Sequence, residues 1–400
     1  MGERSVLREM DWVTLGLVGL LVGLSLFVIE AATASLLPHD PLYFVKRQLV
    51  WIALGAVALA VTVSIPYGTV AGWSKYLYGA NLLLLALVLV KGHSALGASR
   101  WIDVGPFQLQ PSELAKVLIV ITLAQHLNQK TSLKRWRDLI SPILHVAVPM
   151  LLIMKQPDLG TSLVFAAILV VMLYVAGAPG MRLLLVFGGG LALVVLWIYA
   201  HFHWTIAHHA IPIFMHDYQL KRLLIFLHPN QDPLGAGFNV IQSRIAVGTG
   251  GLFGTGLIGG HQNGQLSFLP ESYTDFAFAV VADQLGFVGS VGVLLVYFLI
   301  LVRGLYVALN AKDRLGTLMA SGVVAMLGFH VLESAGMATG IMPVAGVPLP
   351  FISYGGSALL ADSMAIGLLM NVYVGRQDLV FRANPPPVRV GRGGSFAAGA

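Results

Sequence analysis

The sequence predicts an all-α integral membrane protein with about ten transmembrane helices. Of its 400 residues, 57% are hydrophobic and only 10% are charged, and the mean hydropathy is +0.81. A soluble domain carries about 25% charged residues because its surface must be hydrated. Apolar runs long enough to cross a bilayer recur along the chain, and basic residues concentrate in every second connection between them. These three observations define the fold class.

The apolar runs give the positions of the expected helices. They lie near residues 12–32, 45–65, 73–90, 112–127, 139–154, 161–176, 182–200, 276–301, 315–341 and 359–374. The fifth and sixth runs are short and are separated only by residues 155–160, so this pair is also compatible with one re-entrant unit. The 45 glycines are expected to let helix backbones approach each other closely in lipid.

The basic residues predict the orientation. With the N-terminus inside and an even number of helices, the inside segments hold 15 of the 24 Lys and Arg residues. These are Arg4, Arg8, Lys75, Lys130, Lys134, Arg135, Arg137, Arg182, Arg303, Lys312, Arg314, Arg376, Arg382, Arg389 and Arg392. Because short cytoplasmic loops carry the excess of positive charge, both termini are expected in the cytoplasm. The net charge of +6 therefore reflects membrane topology and not a nucleic-acid surface.

The chain is expected to form one membrane domain over residues 1–376. Its longest connection, about residues 201–275 between the seventh and eighth helices, falls on the extracytoplasmic side. Residues 377–400, which contain the run Asn384-Pro385-Pro386-Pro387 and end in Gly and Ala, are expected to be a disordered cytoplasmic tail. The glycines of residues 248–256 suggest phosphate binding only weakly, since the lysine and the strand–turn–helix context of a P-loop are missing. The absence of cysteine excludes disulfides and thiolate chemistry.

Polar clusters at the outer membrane surface are the candidates for chemistry. Pro111 and Ser112 start a helix that places Glu113 and Lys116 one turn apart, either as an internal ion pair or as part of a site. Asp158 follows a Gln-Pro pair at a tight junction between two helices, where it would also serve as a helix cap.

Asp275 lies where the long outer connection enters the eighth helix. Thr274 and Asp275 would serve there as an N-cap and a first-turn acid, each stabilising the helix end by about 0.5–1 kcal/mol. The local sequence alone favours this capping interpretation over a catalytic one.

Several motifs stand in the order found in one membrane protein family. They are Arg100-Trp101, Gln110-Pro111-Ser112-Glu113-Leu114-Ala115-Lys116, Gln156-Pro157-Asp158-Leu159-Gly160-Thr161, Gln242-Ser243, Leu269-Pro270-Glu271 with Thr274-Asp275-Phe276, and Pro348-Leu349-Pro350-Phe351-Ile352-Ser353-Tyr354-Gly355-Gly356. From about Trp12 to Val374 the sequence resembles the SEDS family (shape, elongation, division and sporulation). Residues 346–351 look more like those of RodA, the elongation member, than those of FtsW, the division member. Asp283-Gln284 departs from the two glutamates usual in the family, and Ser334 from an asparagine.

The resemblance implies a peptidoglycan glycosyltransferase that polymerises lipid II into β-1,4 glycan strands during cell-wall elongation and cell-shape maintenance. It implies a place in the bacterial cytoplasmic (inner) membrane with the active site outside. The implied partners are a class B penicillin-binding protein (a transpeptidase), the elongation complex, lipid II, undecaprenyl diphosphate and membrane lipid, with no nucleic acid. The family's proposed catalytic acid matches Asp275.

The resemblance and the polar clusters together define the expected site around Asp275. The expected substrate-binding residues are Arg100, Trp101, Glu113, Lys116, Lys155, Asp158, Gln242, Ser243, Arg244, Glu271 and Thr274. Four of these are the outer cations expected to neutralise diphosphate: Arg100, Lys116, Lys155 and Arg244. No cofactor is identifiable. A divalent cation, Mg²⁺ or Mn²⁺, that shares this task stays open, since no ligand cluster marks its place.

Two alternatives belong to other classes of protein. A transporter that flips lipid II would use intramembrane charges as a polar path, for which Glu113, Lys116, Asp283, Glu333 and Asp362 are available. The sequence lacks the paired interrupted helices in two matching halves that are typical of transporters. A non-catalytic scaffold for the penicillin-binding protein would explain neither Asp275 nor the long outer connection.

Overall fold

The structure is a computed structural model that consists mainly of long helices. It describes residues 9–34, 36, 39–91, 93–95, 98–105, 107–203, 205–206, 209–210, 222, 224–235, 237–256, 269 and 271–376. The helices are α1 (Trp12–Thr33), α2 (Tyr43–Ser64), α3 (Tyr67–Gly72), α4 (Ser74–Lys91), α5 (Pro111–Asn128), α6 (Trp136–Lys155), α7 (Leu159–Val175), α8 (Gly180–Leu183), α9 (Gly189–His203), α10 (Phe238–Thr249), α11 (Ala277–Leu309), α12 (Arg314–Thr339) and α13 (Gly356–Gly375). A π-helical turn, Leu184–Gly188, joins α8 to α9.

Each of the ten apolar runs coincides with helix in the structure. Seven of the described spans are long and apolar enough to cross a membrane: α1, α2, α6, Gly180–Ala200, α11, α12 and α13. Helices α4 and α7 are apolar but shorter, and α5 does not pass the same test of length and hydropathy. The multi-pass, all-α class is thereby confirmed, while the count of ten crossings stays a prediction. The expected disordered tail at 377–400 lies outside the described residues.

Helices α12 and α13 form the centre of the bundle. In each of them 72% of the apolar, membrane-spanning stretch is buried, compared with 17% in α2 and 11% in Gly180–Ala200. Helix α2 packs on α13 at glycines: a Cβ atom on Gly55 would lie 2.7 Å from Ser363 Oγ, and one on Gly367 would lie 2.9 Å from the carbonyl oxygen of Leu59. The expected role of glycine in close helix packing is therefore met at this contact.

Aspartate side chains cap the starts of α1 and α12, and a glycine ends α12. Asp11 caps α1 by accepting from Thr14, and Asp313 caps α12 by accepting from the backbone N–H of Gly316 at 2.8 Å. Such caps satisfy backbone donors that have no partner within the helix. Asp11 also pairs with Arg303 of α11 at 2.7 Å, which ties the start of the first helix to the far end of the eighth predicted span. Helix α12 ends at Gly340 in a left-handed conformation.

A small antiparallel sheet in the connection between α4 and α5 was not predicted. Its strands are β1 (His93–Ala95), β2 (Ala98–Val104) and β3 (Phe107–Leu109), in the order β1-β2-β3. Two further strands, β4 (Thr205–Ile206) and β5 (His209–Ala210), pair with each other. In the register of β2 with β3, Ile102 lies opposite Leu109 and Asp103 opposite Gln108. This hairpin delivers Arg100 and Trp101 to the end of the helical bundle.

Helix α11 is broken at Gly286, where φ is 67° and ψ is −166°. The glycine-rich segment 250–256 fills the break: Thr255 N–H donates to the carbonyl of Asp283 at 2.9 Å, and Phe287 N–H donates to the carbonyl of Gly251 at 2.8 Å. The Asp283 carboxylate accepts from the Thr249 hydroxyl at 3.1 Å. The glycine-rich segment that weakly suggested phosphate binding thus provides hydrogen-bond partners for backbone N–H and C=O groups at the break of α11. Such groups must be paired inside a membrane, because lipid offers no water to bind them.

We expect Gly286→Ala to destabilise the protein. A Cβ atom there would lie 2.3 Å from the backbone nitrogen of Gly254, and the positive φ adds strain of about 1–3 kcal/mol for an L-residue. The unfolding free energy in detergent should fall by at least about 2 kcal/mol. The matched control is Gly292→Ala in the same helix, because no atom lies within 4 Å of its Cβ position. Equal melting temperatures for the two variants would contradict the role of the break.

Candidate active site

A cavity of about 800 Å³ opens where several helix ends meet. Its walls come from the start of α2, the β2–β3 hairpin, the start of α5, the turn before α11 and the connection between α12 and α13. The lining residues are Arg47, Trp51, Arg100, Trp101, Asp103, Gly105, Gln108, Gln110, Glu113, Arg222, Asn239, Glu271, Tyr273, Thr274, Asp275, Phe276, Val344, Gly346, Pro348, Tyr354, Gly355, Gly356, Ser357 and Ala358. All of these segments lie on the side for which the basic residues predict the extracytoplasmic face.

Asp275 belongs to a tight turn at this cavity and not to the helix that follows. The carbonyl oxygen of Glu271 accepts from the backbone N–H groups of Thr274, Asp275 and Phe276 at 3.1–3.2 Å. Phe276 occupies the N-cap position of α11, and no side-chain cap bond is present there. The capping interpretation of Asp275 is therefore wrong. Its half-buried carboxylate faces the cavity.

Gly346 holds the opposite wall close to that carboxylate. Its φ is +75°, and a Cβ atom on it would lie 3.1 Å from Asp275 Oδ2. Any other residue would be strained at this φ and would press on the carboxylate. The glycine thus leaves one side of the acid open to the cavity.

The surroundings of Asp275 raise its pKa to about 6. Burial has the largest effect, because it disfavours the charged carboxylate, and the negative charge of Glu271 adds to it. Arg222 and Arg100 lower the pKa, whereas Asp158 raises it further. At neutral pH the carboxylate is ionised, and its pKa lies close enough to 7 for it to accept a proton effectively.

Arg100 and Asp158 make different contacts in the same region: Arg100 binds backbone carbonyls just before α7, and Asp158 caps that helix. Arg100 Nε donates to the carbonyl of Gln156 at 3.1 Å, and its guanidinium also donates to the carbonyl of Pro157. Asp158 caps α7 by accepting from Thr161 N–H at 3.1 Å and from the Thr161 hydroxyl at 2.9 Å. The helix cap expected at Asp158 is present. The negative charge of Asp158 also raises the pKa of Asp275.

Glu113 and Lys116 form the ion pair that their spacing suggests. Their charged atoms are 2.7 Å apart, and the side chains are 5% and 1% exposed. Lys116 Nζ also lies 2.9 Å from His330 Nε2 on α12, and His330 Nδ1 lies 3.8 Å from Asp362 Oδ1 on α13. Glu113 lines the cavity, while Lys116 lies behind it. The four side chains form a buried polar chain that joins α5, α12 and α13.

The structure places six expected substrate-binding residues outside the cavity lining, among them Lys116 behind Glu113 and Asp158 at the cap of α7. Lys155 is exposed at the end of α6, and Gln242 lies on α10. Ser243 Oγ donates to the carbonyl of Ala338 at 2.8 Å, and Arg244 Nη2 donates to the carbonyl of Gly340 at 3.0 Å. Ser243 and Arg244 therefore attach α10 to the end of α12. Arg100, Trp101, Glu113, Glu271 and Thr274 do line the cavity with Asp275.

Two arginines of the lining were missed from the sequence. Arg47 lies near the start of α2, and Arg222 donates to the carbonyl of Val344 at 3.3 Å. Both lie on the predicted outer side, where the positive-inside bias makes basic residues less frequent. Arg47 is a basic residue at the start of a helix on the outer side, where the positive-inside bias disfavours it. This exception to the bias would have identified Arg47 as a candidate site residue.

Aromatic side chains complete the wall next to Arg47. The ring centroids of Phe44 and Tyr273 are 5.1 Å apart, and those of Phe44 and Tyr354 are 5.4 Å apart. The backbone N–H of Tyr354 donates to the carbonyl of Tyr273 at 2.7 Å. The cluster joins the start of α2 to the turn that carries Asp275.

Comparison with known proteins gives consistent matches over almost the whole chain. A sequence profile of the cell cycle protein family FtsW/RodA/SpoVE matches residues 8–378. The peptidoglycan glycosyltransferase MrdB of Escherichia coli K12 is 38% identical over 360 residues, which cover 90% of this chain and 94% of MrdB.

Solved structures show the same similarity in three dimensions. A chain from a study titled "Structural coordination of polymerization and crosslinking by a peptidoglycan synthase complex" is 35% identical with a TM-score of 0.75, and the match covers 92% of this chain and 98% of that one. The rod shape determining protein RodA of Thermus thermophilus is 32% identical with a TM-score of 0.67, covering 92% of this chain and 97% of RodA.

A double-mutant cycle on Glu113 and Lys116 should give a large coupling energy. Each single change, Glu113→Gln or Lys116→Met, leaves one buried charge unpaired and should lower the unfolding free energy by about 3–5 kcal/mol. The double variant should lose much less than the sum of these two losses. The control is the exposed pair Lys46 and Asp40, 2.9 Å apart, whose coupling should not exceed about 1 kcal/mol. Additive losses at Glu113 and Lys116 would show that the pair is not coupled.

Proposed function

The chain belongs to the FtsW/RodA/SpoVE family of cell cycle proteins, and from that premise we propose that it is a peptidoglycan glycosyltransferase that polymerises lipid II. The observation that carries the proposal is the position of Asp275. It is a half-buried carboxylate in a cavity at the ends of membrane helices, with arginines nearby. A substrate with a polar headgroup and a polyprenyl tail needs such a place, since its reacting sugar stays at the level of the headgroups.

The reaction is a single displacement with inversion. Lipid II carries an α-linked sugar on its diphosphate, and the product linkage is β-1,4. The acceptor 4-hydroxyl oxygen attacks the anomeric carbon of the donor, the bond from that carbon to the diphosphate oxygen breaks, and polyprenyl diphosphate leaves with the electron pair. Asp275 takes the proton of the acceptor hydroxyl as general base. One carboxylate suffices because diphosphate is a good leaving group without protonation, unlike the alcohol released in glycoside hydrolysis.

Arginines stabilise the charge that develops on the leaving diphosphate. Arg100 and Arg222 both act electrostatically on Asp275, so they are close to the reacting atoms. Planar guanidinium groups bind phosphate oxygens through paired hydrogen bonds. A contribution from Mg²⁺ or Mn²⁺ stays a prediction, since the described part of the chain contains no group of three or more His, Cys, Asp or Glu placed to hold a metal.

The biological setting follows from the same premise. We infer a role in cell-wall elongation and cell shape, in the bacterial cytoplasmic membrane, with both termini in the cytoplasm and the cavity outside. The distribution of basic residues supports this orientation. A class B penicillin-binding protein is the inferred partner, supported by the similar chain from a complex that couples polymerization with crosslinking. This partner would crosslink the strands that the chain produces.

Lipid flipping has less support. Of the five charges that would form its path, Glu113 and Lys116 pair with each other, and Asp283 accepts hydrogen bonds at the break of α11. Glu113, Lys116, Asp283, Glu333 and Asp362 are at most 5% exposed. Groups buried to this extent do not border an open passage through the helices, and Glu113 among them borders the outer cavity.

Asp275→Asn tests the proposed function directly. The amide keeps the size of the side chain and cannot accept the proton, so polymer formation from lipid II by the purified protein with its partner should fall by roughly 100- to 10,000-fold. Insertion into the membrane and the melting temperature should stay near those of the parent, since Asp275 caps no helix. Asp138→Asn is the matched control: this acid accepts from Arg135 N–H at 2.9 Å at the start of α6, away from the cavity lining. A rate near that of the parent in Asp275→Asn would disprove the base assignment.

The pH profile should show the raised pKa of Asp275. Because the base works only when ionised, kcat/KM should be constant above pH about 6 and fall about tenfold per unit below it. Arg222→Gln removes a cation that lowers the pKa, so the midpoint should shift to higher pH, whereas Glu271→Gln should shift it to lower pH. Arg244→Gln should leave the midpoint unchanged, as this arginine contacts Gly340 instead. A midpoint that does not move in any variant would mean that another group titrates.

A further inference from the structure

The side-chain amide of Gln110 is bonded on its nitrogen side only. Gln110 occupies the N-cap position of α5, yet its side chain makes no cap bond there. Its amide nitrogen donates instead to the Ser112 hydroxyl at 3.0 Å and to Asp158 Oδ2 at 3.3 Å. Gln110 lines the cavity, whereas Ser112 and Asp158 do not. The amide nitrogen therefore points into the protein, behind the cavity wall.

The Asp158 carboxylate determines which end of the Gln110 amide faces the cavity. Amide oxygen and nitrogen have nearly the same size, so their hydrogen-bond partners distinguish them. Asp158 accepts from the Thr161 N–H at Oδ1 and from the Thr161 hydroxyl at Oδ2, so both of its oxygens act as acceptors. An acceptor needs a donor opposite it, which places Gln110 Nε2 on that side. The other end of the amide, Oε1, has no donor among the residues that the structure describes.

Contacts on the backbone and on the amide hold Gln110 in one orientation. Its backbone N–H donates to Ser357 Oγ at the start of α13, at 2.9 Å. The Ser112 hydroxyl donates to Asp158 Oδ2 at 3.4 Å, which leaves the Ser112 oxygen to accept from Gln110. Ser112 and Asp158 are buried, so water does not compete for these bonds. The Gln110 oxygen is thus a fixed acceptor, and a ligand that donates to it has little ordering of the protein to offset.

This oxygen belongs to the wall where the proposed reaction takes place. Asp158, to which the amide is bonded, is close enough to Asp275 to raise its pKa. Arg100, which is proposed to stabilise the leaving diphosphate, donates to the two backbone carbonyls immediately before Asp158 in the chain. Gln110, Arg100 and Asp275 line the same cavity. A donor sugar whose diphosphate lies at Arg100 therefore has its neighbouring groups within reach of Gln110.

The donor sugar carries a suitable N–H beside its reacting carbon. In lipid II the sugar bonded to the diphosphate has a 2-acetamido group on the carbon next to the one that is attacked. We propose, on the basis of the proposed function, that Gln110 Oε1 accepts from this N–H and so selects a 2-acetamido sugar as donor. Asp158 is then a positioning residue, which acts by holding the Gln110 amide with its oxygen towards the cavity. A donor sugar with an oxygen in place of the N–H would set one acceptor against another, which a fixed polar site rejects.

A lipid II analogue with a 2-O-acetyl group on that sugar tests the proposal. The ester keeps the shape and the carbonyl of the acetyl group and has no N–H. We expect kcat/KM of the parent to be about tenfold or more lower for the analogue than for lipid II. In Gln110→Met the two values should agree within about twofold, because methionine has a similar length and only a weak acceptor. Both lipids are compared on the same variant, so a loss of folded protein cancels.

Gln108→Met is the matched control for this comparison. It replaces a second glutamine of the cavity lining in the same hairpin, and it should keep the ratio of the parent. A parent that uses both lipids equally well would overturn the assignment of Gln110. The same conclusion would follow from Gln110→Met that still prefers lipid II as strongly as the parent does.

Asp158→Asn tests the positioning role. Asparagine caps a helix about as well as aspartate, so α7 keeps its cap. The amide of the new side chain places an N–H donor where Oδ2 now accepts, and the Gln110 amide should turn its oxygen towards that donor and its nitrogen towards the cavity. The preference for lipid II over the analogue should then disappear or reverse. A ratio equal to that of the parent would show that Asp158 acts as a helix cap only and does not orient Gln110.

Binding without turnover separates this specificity from the proposed reaction. In the Asp275→Asn background, each of the two lipids is titrated into nanodiscs of neutral lipid, and its Kd is measured by native mass spectrometry. We expect an about tenfold weaker Kd for the analogue, and equal values when Gln110→Met is added. If the parent polymerises lipid II but neither kcat/KM nor Kd distinguishes the analogue, the Gln110 assignment is wrong and the enzyme remains. If Kd distinguishes the two lipids through Gln110 and the parent makes no polymer, the assignment stands and the proposed reaction fails.

Discussion

The fold depends on keeping a buried lysine paired in the centre of the bundle. Lys116 is 1% exposed, and an unpaired ammonium at that depth would be several kcal/mol unfavourable. Glu113, at 2.7 Å, lies on the same helix α5, whereas His330, at 2.9 Å, lies on α12, so the contact of Lys116 with His330 joins α5 to α12. The polar side-chain series continues to Asp362 on α13. The connection that forms one wall of the cavity is held by another contact, because the Tyr297 hydroxyl of α11 donates to the carbonyl oxygen of Pro350.

The ends of the membrane helices fix the position of Asp275 and also set its pKa. Asp275 sits in a turn whose backbone is fixed by the carbonyl of Glu271, and the opposite wall approaches it at Gly346. Burial and two neighbouring acids raise its pKa, and two arginines lower it. The resulting value, about 6, comes from opposing contributions and not from one dominant partner. The same arginines that limit the pKa are the ones proposed to stabilise the leaving diphosphate.

The helices could be predicted because the bilayer imposes length and composition on each of them. The pair Glu113 and Lys116 could be predicted from helical spacing, and Asp275 from its motif. The sheet of residues 93–109 could not, since its short strands carry no long alternating pattern. The break at Gly286 depends on hydrogen bonds with residues 251–256, which lie 28–36 residues before their partners in the chain. Arg244 was expected in the site and does not line the cavity, whereas Arg47 lines it and was not expected, because only tertiary packing decides which basic side chain faces the cavity.

Burial is distributed unevenly around the cavity, and this determines how firmly each of its walls is held. The connection between α12 and α13, whose spans are 72% buried, supplies the wall beside Asp275, whereas α2, at 17%, supplies the wall beside Arg47. A packed core holds the reacting groups with little freedom, as catalysis requires of a general base and its neighbours. A helix that faces outward along most of its length, as α2 does, has fewer packing partners to hold it. The firmly packed wall is therefore the one that lies beside Asp275, as the proposed role of this residue as general base requires.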